Sequence, residues 1–521
     1  MSATWGVRIR ALGAALALAL ILDGASCGGR PPRTVTRVWW VGRAAPAFDP
    51  SGPQDAVRWS LERLVSRGLV EEGATGNVVP AAAERITASH DSLVYTFHLR
   101  RGLRYTNGAP CRSADFAAAL ENGLRRADHG TAAWALAAVR GVELVRGGHP
   151  LPPLGIRAAD DSTLVLELSR RDPGLLGRLA LPGLCTAWAR RDSAADWKSA
   201  VGLGPYRVLH EEPRRLVLVC ARRPLRPAGP SLPDTVTVRF EPVVGRLRAA
   251  LRSGHVDLLW PVPGAMLAEP LPESYRHASA PASPLRRLLL VMRADVPPTT
   301  KLAARRALAH GLNRSEVTSL LGAGARDPVA WWPDAAPFEY PKLDAGEVAA
   351  WLDRGRLGRS FHVVMLIDGE GVGAAVARSL QGEWARLNLS VDLLALRGAA
   401  LKDEALQGWR AQLALIEWQA LTADPAAELA GLVLPPRGPA VGPLRTGWRT
   451  REFDPWIRPG RPKAPLDLDA VQRRLAEQLV ALPLAEIDWT WIERSGVQET
   501  PAHPHFGPEI APLDAAGGGL R

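Results

Sequence analysis

The side chains able to do chemistry in this chain are scattered, and their spacing matters more than their number. Trp39 and Trp40 lie in the apolar run Arg37–Gly42 and offer ring faces that could stack on a ligand. Strand residues alternate faces, so at most one of the two can reach a cleft while the other packs. His503-Pro504-His505 offers two imidazoles, with no carboxylate or cysteine partner to complete a metal's ligand set. Asp368-Gly369-Glu370-Gly371-Val372-Gly373 stands between a strand (362–367) and a helix (374–387), the setting of a dinucleotide fingerprint. The spacing is G-x-G-x-G rather than G-x-G-x-x-G, and Asp392 falls inside the next strand rather than at its end. It therefore reads as a surface connection. No G-x-x-x-x-G-K-[ST], H-E-x-x-H or G-x-S-x-G occurs, and nothing places serine, histidine and aspartate together. The expectation is binding without catalysis, with no cofactor and no metal.

A chain of 521 residues is too long for one core, and 47% hydrophobic residues make it globular. The net charge of +11 is carried almost wholly by arginine, without a run long enough to mark a basic patch; no nucleic-acid partner is expected. Arg8 and Arg10 precede the apolar run Ala11–Leu22. That run suits a secretory signal and falls short of the ~20 residues that span a bilayer. Gly24-Ala25-Ser26-Cys27 follows, resembling a lipoprotein cleavage box in which Cys27 becomes the lipidated first residue; Gly24 stands where leucine is usual, so ordinary signal cleavage is the alternative. Cys111, Cys185 and Cys220 match no metal spacing, and an exported location permits one disulfide among them.

The elements that must position these residues are clearest in Tyr95–Phe116. Tyr95, Phe97 and Leu99 alternate with polar residues as in a half-buried strand, Asn107-Gly108 is a turn signal, and Ser113 can cap a helix bearing Asp115 in its first turn. The segment resembles the pattern Y-T-F-x-L-R-x-G of the family 5 extracellular solute-binding proteins, the peptide- and nickel-type receptors that feed ABC importers. Phe48-Asp49-Pro50, Gly76–Pro80, Asp160–Thr163, Gly202–Tyr206, Gly254–Asp257 and the helix around Lys301–Gly311 resemble further family elements in the same order, from about residue 35 to 500.

The resemblance implies an α/β, two-lobed periplasmic-binding-protein type II fold with an extra subdomain inserted in the N-terminal lobe. The expected layout is a signal peptide (1–27), an N-terminal lobe (28–262) holding the subdomain (about 52–185), a second lobe (263–482), a return to the first lobe (483–500) and a disordered tail (501–521). Leu466–Leu482 reads as a helix stopped by Pro483. By the same resemblance the ligand lies between lobes that close over it, touching Trp418, Gln419, Thr422 and Asp424, with Trp39 or Trp40 opposite. Asp424 precedes Pro425 and equally suits a turn. Peptide-binding members place an aspartate three residues after the tryptophan, where it pairs with the peptide ammonium; here that residue is Leu421. The implied partners are a peptide-like or other small polar ligand, ABC transporter permease subunits, and the membrane through a lipid anchor, in a periplasmic or cell-surface location. The alternative is a scaffold, chaperone-like or sensory protein that keeps the fold without transport.

Overall fold

The computed structural model describes residues 36–43, 45, 56–73, 76–125, 130–145, 151–184, 201–221, 232–267, 269–282, 286–322, 324–332, 335–337, 339–358, 361–369, 373–396, 411–419, 429, 446–448, 450–453, 466–496, 500–503 and 505–509. Cys27, Cys185, Leu421, Thr422 and Asp424 lie outside them.

Three sheets organise the chain. In the first lobe seven strands run in the order Tyr275–Ala280, Trp489–Arg494, Leu258–Leu259, Thr36–Val41, Thr235–Phe240, Arg215–Cys220, Tyr206–Glu212. Thr36–Val41 lies in the middle and runs parallel to both neighbours. Parallel central strands are covered on both faces, which is why this strand can carry two tryptophans. The second lobe has six strands, Ala325–Arg326, Ala481–Ile487, Arg286–Met292, Leu413–Gln419, His362–Asp368 and Ser390–Leu396. Along Arg286–Met292 the side chains alternate between two cores. Leu288, Leu290 and Met292 pack with Met365, Leu380 and Trp384, while Leu289 and Val291 pack with Trp331, Trp332 and Trp418. The inserted subdomain is a four-stranded sheet under the helix Ser113–Arg125, with its own core from Leu69 to Leu203.

Strand pairing moves the expected boundaries. Tyr275–Ala280 pairs with Trp489–Arg494 in the first sheet, so the chain crosses to the second lobe between Ala280 and Arg286, not at residue 263. The return falls at Asp488, because Ala481–Ile487 still belongs to the second sheet. The helix Ala56–Val65 buries Val57, Leu61, Leu64 and Val65 in the first-lobe core, so the subdomain begins after it. The C-terminal helix is Leu468–Gln478, closed by Leu479 at φ 49°. Pro483 does not stop it but sits inside the next strand. Proline is tolerated there because a bulge opposite Leu288/Leu289 interrupts the ladder and the outer neighbour, Ala325–Arg326, pairs only with residues 486 and 487. The tail expected to be disordered from 501 is ordered to Glu509, as the strands Ala502–His503 and Gly507–Pro508 pair and fold back onto the first lobe.

Several motifs acquire physical reasons. In Gly202-Leu203-Gly204-Pro205-Tyr206, a Cβ on Gly202 would lie 2.0 Å from the Val65 carbonyl oxygen, and one on Gly204 would lie 2.4 Å from the Val65 carbonyl carbon. Both glycines let the chain press against the end of the helix Ala56–Val65. Asp257 accepts the Val38 N–H at 2.7 Å and so ties Gly254–Asp257 to the central strand. Ser113 donates its hydroxyl to the Asp160 carbonyl instead of capping, and Asp115 reaches back to the Arg112 N–H at 2.9 Å. Asp392 lies mid-strand opposite Val364, its carboxylate 3.0 Å from His362 Nε2, and the strands His362–Asp368 and Ser390–Leu396 run parallel; residues 370–372 of the glycine-rich connection lie outside the described residues.

Candidate functional site: the junction between the lobes

The two sheets meet where Leu413–Gln419 ends beside the first residues of Arg286–Met292; Trp418 pairs with Arg287 and Gln419 with Arg286. Arg286 marks the hinge. Its Nε donates to Glu417 at 2.7 Å, its Nη1 donates to the Asp488 carbonyl at 3.1 Å, and its guanidinium lies 4.7 Å from the Trp489 ring centre. One arginine thus touches the strand that carries Trp418 and both sides of the return crossing.

From the hinge an aromatic ladder runs into the first lobe. Trp489 meets Trp260 edge-on at 5.7 Å, and Trp260 stacks on Trp39 at 5.9 Å. Trp39 is 1% exposed and donates its indole N–H to the Trp260 carbonyl at 2.8 Å. Its place is the core that braces the hinge. Trp40, on the opposite face as the strand period requires, is half-buried against the cluster of Leu247 and Val262, with the Arg239 guanidinium 5.6 Å from its ring. Trp418 is 6% exposed and packs with Trp331, Trp332 and Trp448. Gln419 donates its side-chain amide to the His505 carbonyl at 3.0 Å. The structure therefore brings Trp418 and Gln419 together with the hinge, and sets Trp39 and Trp40 on the two sides of the first sheet.

Sequence reasoning missed the C-terminal residues packed at this junction. His505 Nδ1 lies 2.7 Å from the Glu72 carboxylate, and Phe506 stacks on His505 and His503 at 4.9 and 4.5 Å. Trp59 meets His505 edge-on at 5.5 Å, and Arg63 lies 4.7 Å over Phe506. Gly507, at φ 82°, lets the chain pass so close to Trp260 that a Cβ would stand 2.6 Å from its ring. Burial, and then the Arg63 guanidinium, hold the His503 imidazole well below its ordinary pKa. Its Nδ1 accepts the His505 N–H at 3.1 Å and its Nε2 donates to the Glu72 carbonyl at 3.3 Å, as a neutral ring would. The described residues contain no cluster of three or more His, Cys, Asp or Glu able to hold a metal ion. The available signal was the density of aromatic and imidazole rings in His503–Gly507, which the flanking prolines and glycines obscured.

Comparison with known proteins agrees with this architecture. Residues 77–438 match bacterial extracellular solute-binding proteins, family 5, and the chain belongs to that family. The oligopeptide-binding protein OppA of Bacillus subtilis is 30% identical over 128 residues, 24% of each chain. The nickel-binding periplasmic protein of Escherichia coli is 24% identical over 271 residues, 49% of this chain and 48% of that one. The chain thus matches from about a quarter to a half of these relatives' length. Among solved structures, the murein tripeptide binding protein MppA of E. coli superposes with a TM-score of 0.76 at 18% identity, covering 92% of this chain and 97% of that one. The shared fold is the two-lobed type II binding-protein fold. No helix among the described residues is long and apolar enough to cross a membrane.

Proposed function

We propose that this protein is the substrate-binding subunit of an ABC importer, exported and tethered through lipidated Cys27, which captures a small polar solute between its lobes and presents the closed form to permease subunits. The observation that carries this reading is a family match running through both lobes of a chain whose two sheets, among the described residues, are connected in sequence between Ala280 and Arg286 and at Asp488. Few and short connections let two rigid lobes rotate as bodies. Trp418 and Gln419 lead directly into the segment holding Thr422 and Asp424, and these four, with the half-buried Trp40 of the first lobe, are the contacts we assign to the ligand. Trp39 acts behind them as a brace.

Leu421 sets the ligand's chemistry. A leucine cannot neutralise an ammonium, and a charge left unpaired in a closing cleft is costly. The ligand is accordingly a solute without a free α-ammonium at that position. Calorimetric titration with one short peptide in free and N-acetylated forms tests this. The acetylated form should bind at least about tenfold tighter, and Leu421→Asp should reverse the order. Preference of the wild-type protein for the free peptide would overturn the assignment.

A further inference from the structure

The C-terminal segment is bound almost entirely to one side of the hinge. Thr500 donates its N–H to Glu493 at 3.2 Å; Ser60 Oγ donates to the Phe506 carbonyl at 2.9 Å; Arg63 pairs with Glu509 at 2.6 Å; Glu72 holds both histidines. Every one of these partners belongs to the first lobe or its inserted subdomain. The second lobe contributes one hydrogen bond to the segment among the described residues, from Gln419 Nε2 to the His505 carbonyl. Gln419 is also one of the residues assigned above to the ligand, and the last described one before Thr422 and Asp424.

We propose that Gln419 is a positioning residue for lobe closure: its amide latches the second lobe to the C-terminal segment, and the latch forms only when the lobes are together. Geometry carries the argument. Gln419 pairs with Arg286 on the neighbouring strand, just past the crossing, and adjacent strands lie about 4.8 Å apart. Rotation about the crossing moves Gln419 relative to the first lobe, and a displacement of about 1 Å takes its 3.0 Å hydrogen bond out of range. The segment is also poised to respond. Trp59 Nε1 and His505 Nε2 are buried without a hydrogen-bond partner among the described residues, on side chains 2% and 1% exposed. Buried polar atoms left unsatisfied disfavour the docked arrangement, so one bond from the second lobe has a disproportionate effect on it. This inference rests on the lobe-closing reading above but not on the identity of any ligand.

The test is hydrogen exchange on the full ligand-free chain, read at the amides of 500–503 and 505–509, with small-angle scattering on the same samples. Gln419→Leu keeps the volume and removes the donor; Gln419→Lys keeps a donor. In Gln419→Leu, exchange in the segment should rise about fivefold and the radius of gyration should increase, while exchange in the first-lobe strand 36–41 stays at the wild-type rate; Gln419→Lys should restore both. Unchanged exchange and radius in Gln419→Leu overturn the latch. So does a rise confined to the second lobe, or one that Gln419→Lys fails to rescue, since either means that the substitution acts through packing. Should Gln419→Leu not fold, Gln419→Lys against Gln419→Glu, which places an acceptor against the carbonyl, decides on the same readouts. Solute binding is read on the wild-type protein, since Gln419 is also assigned to the ligand: a failed latch in a protein that binds solute leaves the receptor reading standing, and a confirmed latch in one that binds none does the opposite.

Discussion

The sharpest structural expectation concerns Gly204. It lies two residues before the strand Tyr206–Glu212, where the chain docks on the end of the helix Ala56–Val65, and that helix carries Trp59, Ser60 and Arg63 to the C-terminal segment. A methyl group there would lie 2.4 Å from the Val65 carbonyl carbon, 2.5 Å from the Leu64 oxygen and 2.6 Å from the Ser66 nitrogen. All three are backbone atoms, so no rotamer change relieves the clash and the helix end must move away. Overpacking costs typically about 1–3 kcal/mol, and a purely backbone clash belongs at the upper end. Gly204→Ala should therefore destabilise the first lobe by about 3 kcal/mol, lowering its melting transition by about 6–10 °C. Gly382 is the internal control. It lies inside the helix Gly373–Arg386 and an added Cβ meets nothing within 4 Å. Gly382→Ala should stabilise by about 0.5–1 kcal/mol through helix propensity alone. Differential scanning calorimetry of both variants reads the two effects. A Gly204→Ala protein melting within about 1 °C of wild type would refute the close approach.

Three further outcomes follow from buried polar groups. Asp257→Ala removes the acceptor of the Val38 N–H and should cost about 1–3 kcal/mol in urea unfolding, whereas Asp257→Asn keeps an acceptor oxygen and should cost less. Burial, assisted by Glu316, raises the Glu383 carboxyl to about 7, while the Asn313 N–H bonds it at 2.9 Å. The folded state then holds more protons than the unfolded one between pH 4.5 and about 7, so this group lowers stability as pH rises through that window. Glu383→Gln should match wild type near pH 4.5 and gain on the order of 1–2 kcal/mol at pH 8, after allowing for solvent screening. His503 has the opposite sign: the unfolded chain protonates near pH 6.5 and the folded one well below it. Acidification below that pH should therefore weaken docking of 500–509 by up to about 1.4 kcal/mol per pH unit, seen as faster hydrogen exchange there and flattened in His503→Gln.

Much of the fold was legible because its signals are local. The alternation expected at Tyr95, Phe97 and Leu99 is the strand Val94–Leu99, that at 362–367 is His362–Asp368, and the helix opened at Ser113 runs to Arg125. Period-two alternation and turn chemistry need only near neighbours. The crossings were not legible, since membership of a sheet is a long-range property: Tyr275–Ala280 and Ala481–Ile487 give no local sign of which sheet they join. Pro483 misled for a related reason, because proline stops a helix by local rules but is accommodated in a strand by a bulge on a distant partner. In the tail, composition argued for disorder, while order came from edge-on ring contact with Trp59 and the carboxylate of Glu72. Of the candidate site, Trp418 and Gln419 were expected from sequence as ligand contacts; that their strand ends beside the lobe crossing follows from its pairing with Arg287 and Arg286, more than 120 positions earlier in the chain, and has no local sign. The core role of Trp39 depends on Trp260, a residue 221 positions away.

The central claim, that this fold captures a small solute, is tested most directly by native mass spectrometry of the chain from Gly28 onward, without Cys27 and its lipid, freshly purified and then denatured to release what it carries. The account predicts one small polar molecule per chain, without a free α-ammonium, whose retention falls in Trp418→Ala. A chain that emerges empty, and whose melting temperature is moved by none of a panel of blocked peptides, sugars and metal chelates, would contradict the claim.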